Sequence, residues 1–144
     1  MRLDDVWTEA DLDAVHGFIS RSYWAEGIPR ELMKRAMEGS LNLILRDEDG
    51  SLVAYARVIT DRATFAYLCD VFVPEALRGR GHAKRLMEEL VKHPALQGLR
   101  RFTLFTKDAH ALYAGFGFAP LAAPERAMEI VRPGIYLQSK KEEN

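Results

Sequence analysis

The chain has 144 residues, 48% of them apolar and 28% charged, with 20 basic and 21 acidic side chains and a formal net charge of −1. This length fits one globular domain, and the balanced charge argues against the broad basic surface of a nucleic-acid-binding protein. The single cysteine, Cys69, excludes an internal disulfide, and the four histidines have no zinc-ligand spacing, so we expect no metal site.

The amino-terminal part predicts two helices joined by an aromatic loop. Thr8 precedes an apolar stripe and stands three residues before Asp11, a pattern typical of a helix N-cap followed by an acidic first turn. A second amphipathic stretch begins at Pro29 and ends at Gly39. The aromatic loop between them covers residues 22–28.

The middle of the chain changes to the period of β-strands. Residues 41–46, 51–60 and 64–73 are rich in β-branched and aromatic side chains, and turn signals separate them, which predicts an antiparallel meander. An apolar stripe from Ala83 then predicts a helix that ends at Pro94. The remaining predicted elements are a strand over 101–106, a short helix that is capped by Asp108 and runs through Ala114, and a last strand over 128–131. This order predicts an α/β fold with a mixed sheet.

The sequence has neither the pattern of a signal peptide at its amino terminus nor that of a membrane span. The acidic amino terminus is unlike a signal peptide, and no apolar run approaches the ~18 residues of a membrane span. We therefore expect a single cytoplasmic domain over 1–144, with no membrane or nucleic-acid partner and a frayed charged tail over about 139–144.

A glycine-rich turn, Arg78-Gly79-Arg80-Gly81-His82-Ala83, joins the third predicted strand to the most clearly amphipathic helix. The first turn of a helix has unpaired N–H groups and the positive end of the helix dipole, and glycines let a phosphate approach the backbone. The turn is therefore predicted to bind an anion. Neither the Walker pattern nor the dinucleotide fingerprint fits it, because their required residues are missing.

Two segments resemble signatures of the GNAT acetyltransferase superfamily. Arg78, Gly81 and Ala83 match the pattern Arg/Gln-x-x-Gly-x-Gly/Ala, and residues 108–118 contain Leu-Tyr followed by Gly-Phe. The resemblance implies a GNAT-like mixed, mostly antiparallel sheet flanked by helices, with acetyl-CoA as co-substrate. It also implies contacts to that cofactor from these residues: Val71, Phe72, Val73, Arg78, Gly79, Arg80, Gly81, His82 and Ala83.

The resemblance gives Tyr113 the role of a general acid that protonates the leaving thiolate; the alternative is an ordinary inward-facing aromatic residue. The sequence departs from the family where Cys69 replaces a common glutamate and Thr106 replaces an asparagine. Asp70 is then the nearest candidate base, although strand alternation places it on the face opposite Cys69 unless a bulge intervenes. Cys69 fits a small buried residue better than a nucleophile.

In GNAT-like folds the loop between the first two helices covers the acceptor. Tyr23 and Trp24 lie in that loop, and Tyr55 and Arg57 share one face of a strand, so these four residues are the candidate acceptor contacts. The alternative is that they are half-buried aromatic residues and a snorkelling arginine. The expected acceptor is a primary amine on a small molecule or a peptide, and a homodimer stays open.

Three functions are compatible with these features. The leading one is an N-acetyltransferase acting by direct transfer, and the second is a non-catalytic acyl-CoA-binding or regulatory module of the same fold. The third, a nucleic-acid-binding protein using the arginines of the turn, is disfavoured by the net charge.

Overall fold

The computed structural model describes residues 1–137, so the expected charged tail at 139–144 lies outside the described residues. The described part contains these strands and helices: β1 Arg2–Asp4, α1 Glu9–Ile19, α2 Arg30–Glu38, β2 Leu41–Arg46, β3 Leu52–Thr60, β4 Phe65–Phe72, α3 His82–Leu90, β5 Arg101–Leu104 and α4 His110–Ala114. Within it, no helix is both long enough and apolar enough to cross a membrane.

The strands form one five-stranded sheet in the order β1-β2-β3-β4-β5. Neighbouring strands are antiparallel except for β4 and β5, which are parallel. A parallel pair needs a crossover connection, and here α3 provides it. The predicted mixed, mostly antiparallel sheet flanked by helices is therefore confirmed.

Each face of the sheet is covered by its own hydrophobic core. The core under α1 and α2 includes Leu12, Val15, Ile19, Met33, Met37, Ile44, Tyr55 and Phe72. The core under α3 and α4 includes Leu43, Leu45, Ala54, Ala56, Val58, Leu68, Leu86, Met87 and Leu90. Burying each of the larger apolar side chains stabilises the fold by about 1.5–3 kcal/mol.

The start of α1 is fixed by a capping box and a buried ion pair. The hydroxyl of Thr8 accepts a hydrogen bond from the backbone N–H of Asp11, and the carboxylate of Asp11 accepts one from the backbone N–H of Thr8. This agrees with the N-cap that the sequence predicts. Arg46 of β2 also donates to both oxygens of Asp11, at 3.0 and 2.7 Å, and to Asp4 of β1 at 2.9 Å. Burial raises the pKa of Asp11, but the hydrogen bonds from Arg46 and Thr8 outweigh burial and hold that pKa below its usual value.

The structure differs from the sequence-based expectation at both ends of the chain. Strand β1 was missed because three residues are too short to show a period. The strand predicted over 128–131 is wrong: this segment has no regular structure, and Met128 and Ile130 are 96% and 84% exposed. A strand pattern needs a neighbour to pair with, and none of the described strands pairs with this segment. Helix α4 begins at His110 with Ala109 as its N-cap, one residue later than the predicted cap, Asp108.

Candidate active site

A β-bulge lies in the second half of β4. Arg57 of β3 is opposite Cys69, whereas Tyr55 is opposite Phe72, so a single β3 residue faces two residues of β4. Asp70 lies in the bulge with a φ of 51°, in the left-handed region. Because of the bulge, Asp70 and Cys69 line the same cavity on the α1–α2 face, and simple alternation along β4 fails here.

The edge of β4 that faces β5 is paired over only part of its length. The parallel ladder runs from Phe65 to Leu68 of β4, opposite Arg101 to Leu104 of β5. Beyond Leu68, β4 has no strand partner on this side within residues 1–137. The peptide groups of the bulged segment are therefore free of a strand partner along this edge.

A cavity of about 370 Å³ lies beside the bulged segment and reaches the amino-terminal end of α3. Its lining includes every predicted cofactor contact except Arg80: Val71, Phe72, Val73, Arg78, Gly79, Gly81, His82 and Ala83. Leu112, the leucine of the Leu-Tyr signature, also lines it, as do Phe18 and Leu77, which the sequence did not mark as cofactor contacts. This space is called the cofactor cavity below.

The glycine-rich turn leaves the start of α3 open. Gly81 is the N-cap residue of α3 and has a φ of 79°, as does Gly79. No side chain caps the first turn, and a Cβ added at Gly81 would meet no atom within 4 Å. Arg78 donates to the carbonyl of Val73 at 3.3 Å, and its guanidinium lies 5.9 Å from the ring centre of Phe18. The open N–H groups and the adjacent space fit a phosphate group.

Tyr113 of α4 lines the cofactor cavity and is only 9% exposed. Burial raises the pKa of its phenol, and the charge of Asp108 raises it further. The phenol is therefore protonated at neutral pH. Its hydroxyl makes no hydrogen bond to any of residues 1–137, and the ring packs edge to face with Phe118 at 6.1 Å. The proton of Tyr113 is thus available to a bound molecule.

A second cavity, of about 350 Å³, lies under the loop between α1 and α2 and is called the acceptor cavity below. Trp24 lines both cavities. Its indole nitrogen donates to one oxygen of Asp70 at 2.7 Å, while Arg57 donates to the other oxygen at 2.7 Å and to Ser40 at 3.0 Å. Burial lowers the pKa of Arg57, but Asp70 more than offsets this effect and keeps that pKa above its usual value.

The four candidate acceptor contacts divide into two pairs. Trp24 and Arg57 line the acceptor cavity, whereas Tyr23 and Tyr55 line neither that cavity nor the cofactor cavity. Tyr23 is 70% exposed and packs edge to face on Trp24, with rings 5.1 Å apart. Tyr55 is fully buried, and its hydroxyl donates to Asn42 at 2.6 Å. Tyr55 therefore supports the sheet behind the site, because no surface of its side chain is left for an acceptor.

Cys69 lines the acceptor cavity but is a poor nucleophile. Burial raises the pKa of its thiol to about 12, so almost no thiolate exists at neutral pH. Sequence reasoning missed three other lining residues, Arg35 of α2, Tyr67 and Tyr136. Alternation from Cys69 would have found Tyr67, whereas Arg35 and Tyr136 reach the cavity only through the tertiary fold.

Comparison with known proteins agrees with this geometry. Residues 19–118 match the model of the acetyltransferase (GNAT) family. The crystal structure of a GNAT-family protein from Xanthomonas campestris pv. campestris is similar, with 45% identity and a TM-score of 0.86 over 94% of this chain and 97% of that one. A Gibberella zeae protein, provisionally named an acetyltransferase, is 28% identical over 124 residues, covering 71% of this chain and 69% of that protein. A crystal structure from Deinococcus radiodurans R1, 18% identical with a TM-score of 0.71, covers 94% of this chain and 90% of that one and shares the fold. The chain belongs to the GNAT acetyltransferase family.

Proposed function

We propose that the protein is an acetyl-CoA-dependent N-acetyltransferase that moves an acetyl group directly to a primary amine. The observation that carries this proposal is the shared cavity of Tyr113 and the glycine-rich turn at α3. A proton donor and an anion site thereby face the same space. Acetyl-CoA, when bound, supplies a thioester whose carbonyl carbon takes the amine and whose sulfur leaves as a thiolate.

The residues of the cofactor cavity divide the binding task. The open first turn of α3 suits the pyrophosphate, because unpaired N–H groups and the helix dipole both favour negative charge. The unpaired edge of β4 suits the pantetheine arm, which carries amide groups that can hydrogen-bond to backbone. Arg80 does not line this cavity. Its proposed contribution is a positive charge near the glycine-rich turn that attracts the pyrophosphate without contacting it.

Direct transfer needs two proton movements. A C–N bond forms and a C–S bond breaks, the nitrogen loses one proton, and the sulfur gains one. Tyr113 is the proposed donor to sulfur, since its phenol is protonated and has no competing partner among the described residues. Asp70 is the proposed acceptor of the amine proton, directly or through water, because each carboxylate oxygen keeps a second lone pair beyond its contact with Trp24 or Arg57.

A second candidate function is an acyl-CoA-binding module without turnover. Two observations favour it: Cys69 stands where the family commonly has a glutamate, and both oxygens of Asp70 already accept hydrogen bonds. The retained Tyr113 favours the enzyme instead, because binding alone does not need a proton donor in the cavity. For either function we propose a cytoplasmic location. Cys69 is a free, half-buried cysteine, and a chain without a disulfide does not need an oxidising compartment.

The test combines binding with turnover. The purified chain is mixed with acetyl-CoA and a panel of primary amines, and release of free thiol is followed, while thermal melting with and without CoA reports binding. Turnover on any amine supports the enzyme. A CoA-induced rise in melting temperature without turnover on any amine supports the binding module, and the lack of both overturns the cofactor assignment.

A further inference from the structure

The charged side chains that line the acceptor cavity are not balanced. They are Arg35, Arg57 and Asp70. The carboxylate of Asp70 is already neutralised by Arg57 at 2.7 Å. Arg35 makes no ion pair or hydrogen bond through its side chain to any of residues 1–137. Among residues 1–137, the lining therefore has one more positive than negative side chain.

Within the described part of the chain, Arg35 differs from the other basic residues of α2 in having no ion-pair partner. Arg30 forms ion pairs with Glu9 and Asp13, and Lys34 forms one with Glu9. These contacts join α2 to α1 on the side away from the cavity lining, to which neither Arg30 nor Lys34 contributes. Arg35 is the basic residue of this helix that lines the acceptor cavity. It is exposed there and also borders a surface groove that contains Glu31 and Glu38, with neither of which it forms an ion pair.

Arg57 also has spare donors. A guanidinium has five N–H groups, and only its Nε and one Nη atom have partners among the described residues. Glu129, whose charge adds to the effect of burial in raising the pKa of Tyr67, does not itself line the cavity. The cavity thus offers several N–H donors, and its one carboxylate is already bound.

The rest of the lining is apolar and the space is small. Ile19, Ala25, Ile28, Leu32 and Ala36 form one wall. The volume of about 350 Å³ is near the lower end of the range for small-molecule sites. Such a space fits one small molecule with an apolar chain better than an extended polypeptide.

We infer that the acceptor is a small amino-acid-like molecule with a carboxylate, a short apolar chain and a primary amine. Arg35 binds the carboxylate, the apolar wall contacts the chain, and the amine then lies beside Trp24 and Asp70. This inference rests on the proposed acetyltransferase activity. A charge-assisted hydrogen bond from a guanidinium to a carboxylate provides the recognition.

The inference is tested with acceptors that differ only in the carboxylate. The parent protein is assayed with acetyl-CoA and two matched sets of acceptors. The first set is leucine, leucinamide and isopentylamine, and the second is 6-aminohexanoate and 6-aminohexanamide. We expect KM for at least one carboxylate acceptor to be about tenfold lower than for its amide, the scale of a charge-assisted contact. Arg35→Gln should remove this preference by raising KM for the carboxylate while leaving kcat similar.

Lys34→Gln is the matched control, because it removes the same charge from the same helix outside the cavity lining. It should keep the preference of the parent, and both variants should melt near the parent temperature. If in both sets the amide or the amine without a carboxylate is turned over as well as or better than the carboxylate, the inference is overturned but the acetyltransferase proposal stays intact. An unchanged preference in Arg35→Gln also overturns the inference. If none of these acceptors is turned over but another amine of the panel is, only the inference fails; if CoA binds and no amine at all is turned over, the proposed activity fails with it.

Discussion

The indole nitrogen of Trp24 donates a 2.7 Å hydrogen bond to the carboxylate of Asp70, which joins the loop between α1 and α2 to the bulge in β4. Trp24 also lines both cavities. The loop that covers the acceptor cavity is therefore attached at the place where β4 bends. A change at Asp70 will affect the acceptor side, the strand and the ion pair with Arg57 together.

Asp70→Asn tests the proposed base. Asn tolerates the left-handed backbone of this position and keeps one acceptor oxygen, so the chain should still fold. Loss of the carboxylate leaves Arg57 half-buried without its ion pair, which we expect to lower the free energy of unfolding by about 3 kcal/mol. Turnover should fall, and the defect should shrink as pH rises toward the pKa of an alkylamine, about 10.4, because free amine becomes plentiful.

The measurement is a pH profile of kcat per folded molecule, with CoA affinity determined in parallel. Arg57→Lys serves as the comparison, since it keeps the positive charge and the carboxylate while weakening the same contact. If Asp70→Asn loses thermal stability but has the activity of the parent per folded molecule at every pH, Asp70 has a structural role and a water chain takes the amine proton.

Gly81→Ala tests the phosphate site. A residue with a side chain at a φ of 79° costs roughly 1–2 kcal/mol, and its Cβ would occupy the open space before α3. We expect CoA to raise the melting temperature of the parent and to lose most of that effect in the variant. Isothermal titration with CoA gives the affinity directly.

Gly98→Ala is the matched control for backbone strain. Gly98 has a φ of 71°, its added Cβ would also meet no atom within 4 Å, and it lines neither cavity. Both variants should lose similar stability, but only Gly81→Ala should lose CoA affinity. Equal CoA affinity in the two variants would place the pyrophosphate elsewhere.

Tyr113→Phe tests the general acid. The ring and its contact with Phe118 remain, so CoA affinity and thermal stability should stay near those of the parent. Turnover should fall about 10²-fold or more, which is the usual contribution of general acid catalysis. Steady-state kinetics with a productive amine provides the measurement, and turnover within a factor of about two of the parent would assign Tyr113 to packing alone.

Cys69 should react slowly with thiol reagents. Its pKa of about 12 leaves far less thiolate at pH 8 than an ordinary cysteine has, so alkylation by iodoacetamide should be roughly three orders of magnitude slower than for a model thiol. Cys69→Ala should retain acetyl transfer, as expected for a direct reaction without an acetyl-cysteine. Mass spectrometry of the alkylated chain measures the first result. A trapped acetyl group on Cys69, absent from Cys69→Ala, would contradict direct transfer.

The predicted site residues that the structure brings to one cavity belong to short local motifs. The glycine-rich turn and Tyr113 line one cavity because a strand, a turn and two helices place them there, and each step has a local signal. The capping box at Thr8 is equally local. The direction of Asp70 could not be deduced, because a bulge depends on the register of two strands.

Other features depend on contacts between distant parts of the chain. Arg35 looks like an ordinary surface residue of an amphipathic helix, and its place in the acceptor cavity depends on how α2 packs against the sheet. Residues 128–131 have a strand-like composition, yet β-propensity describes how side chains fit a sheet and does not provide a partner. For the same reason Tyr55 shares the face of Arg57 but is fully buried, since position along a strand does not fix depth.

The edge of β4 beyond Leu68, with which none of the described strands pairs, has a further consequence for the free protein. An open strand edge is a template on which strands of other molecules can add. If the pantetheine arm of CoA binds along this edge, it blocks the addition of a strand from another molecule. Amide hydrogens of residues 69–73 should then exchange with solvent faster in the free protein than in the complex, and the protein should self-associate more readily when CoA is removed.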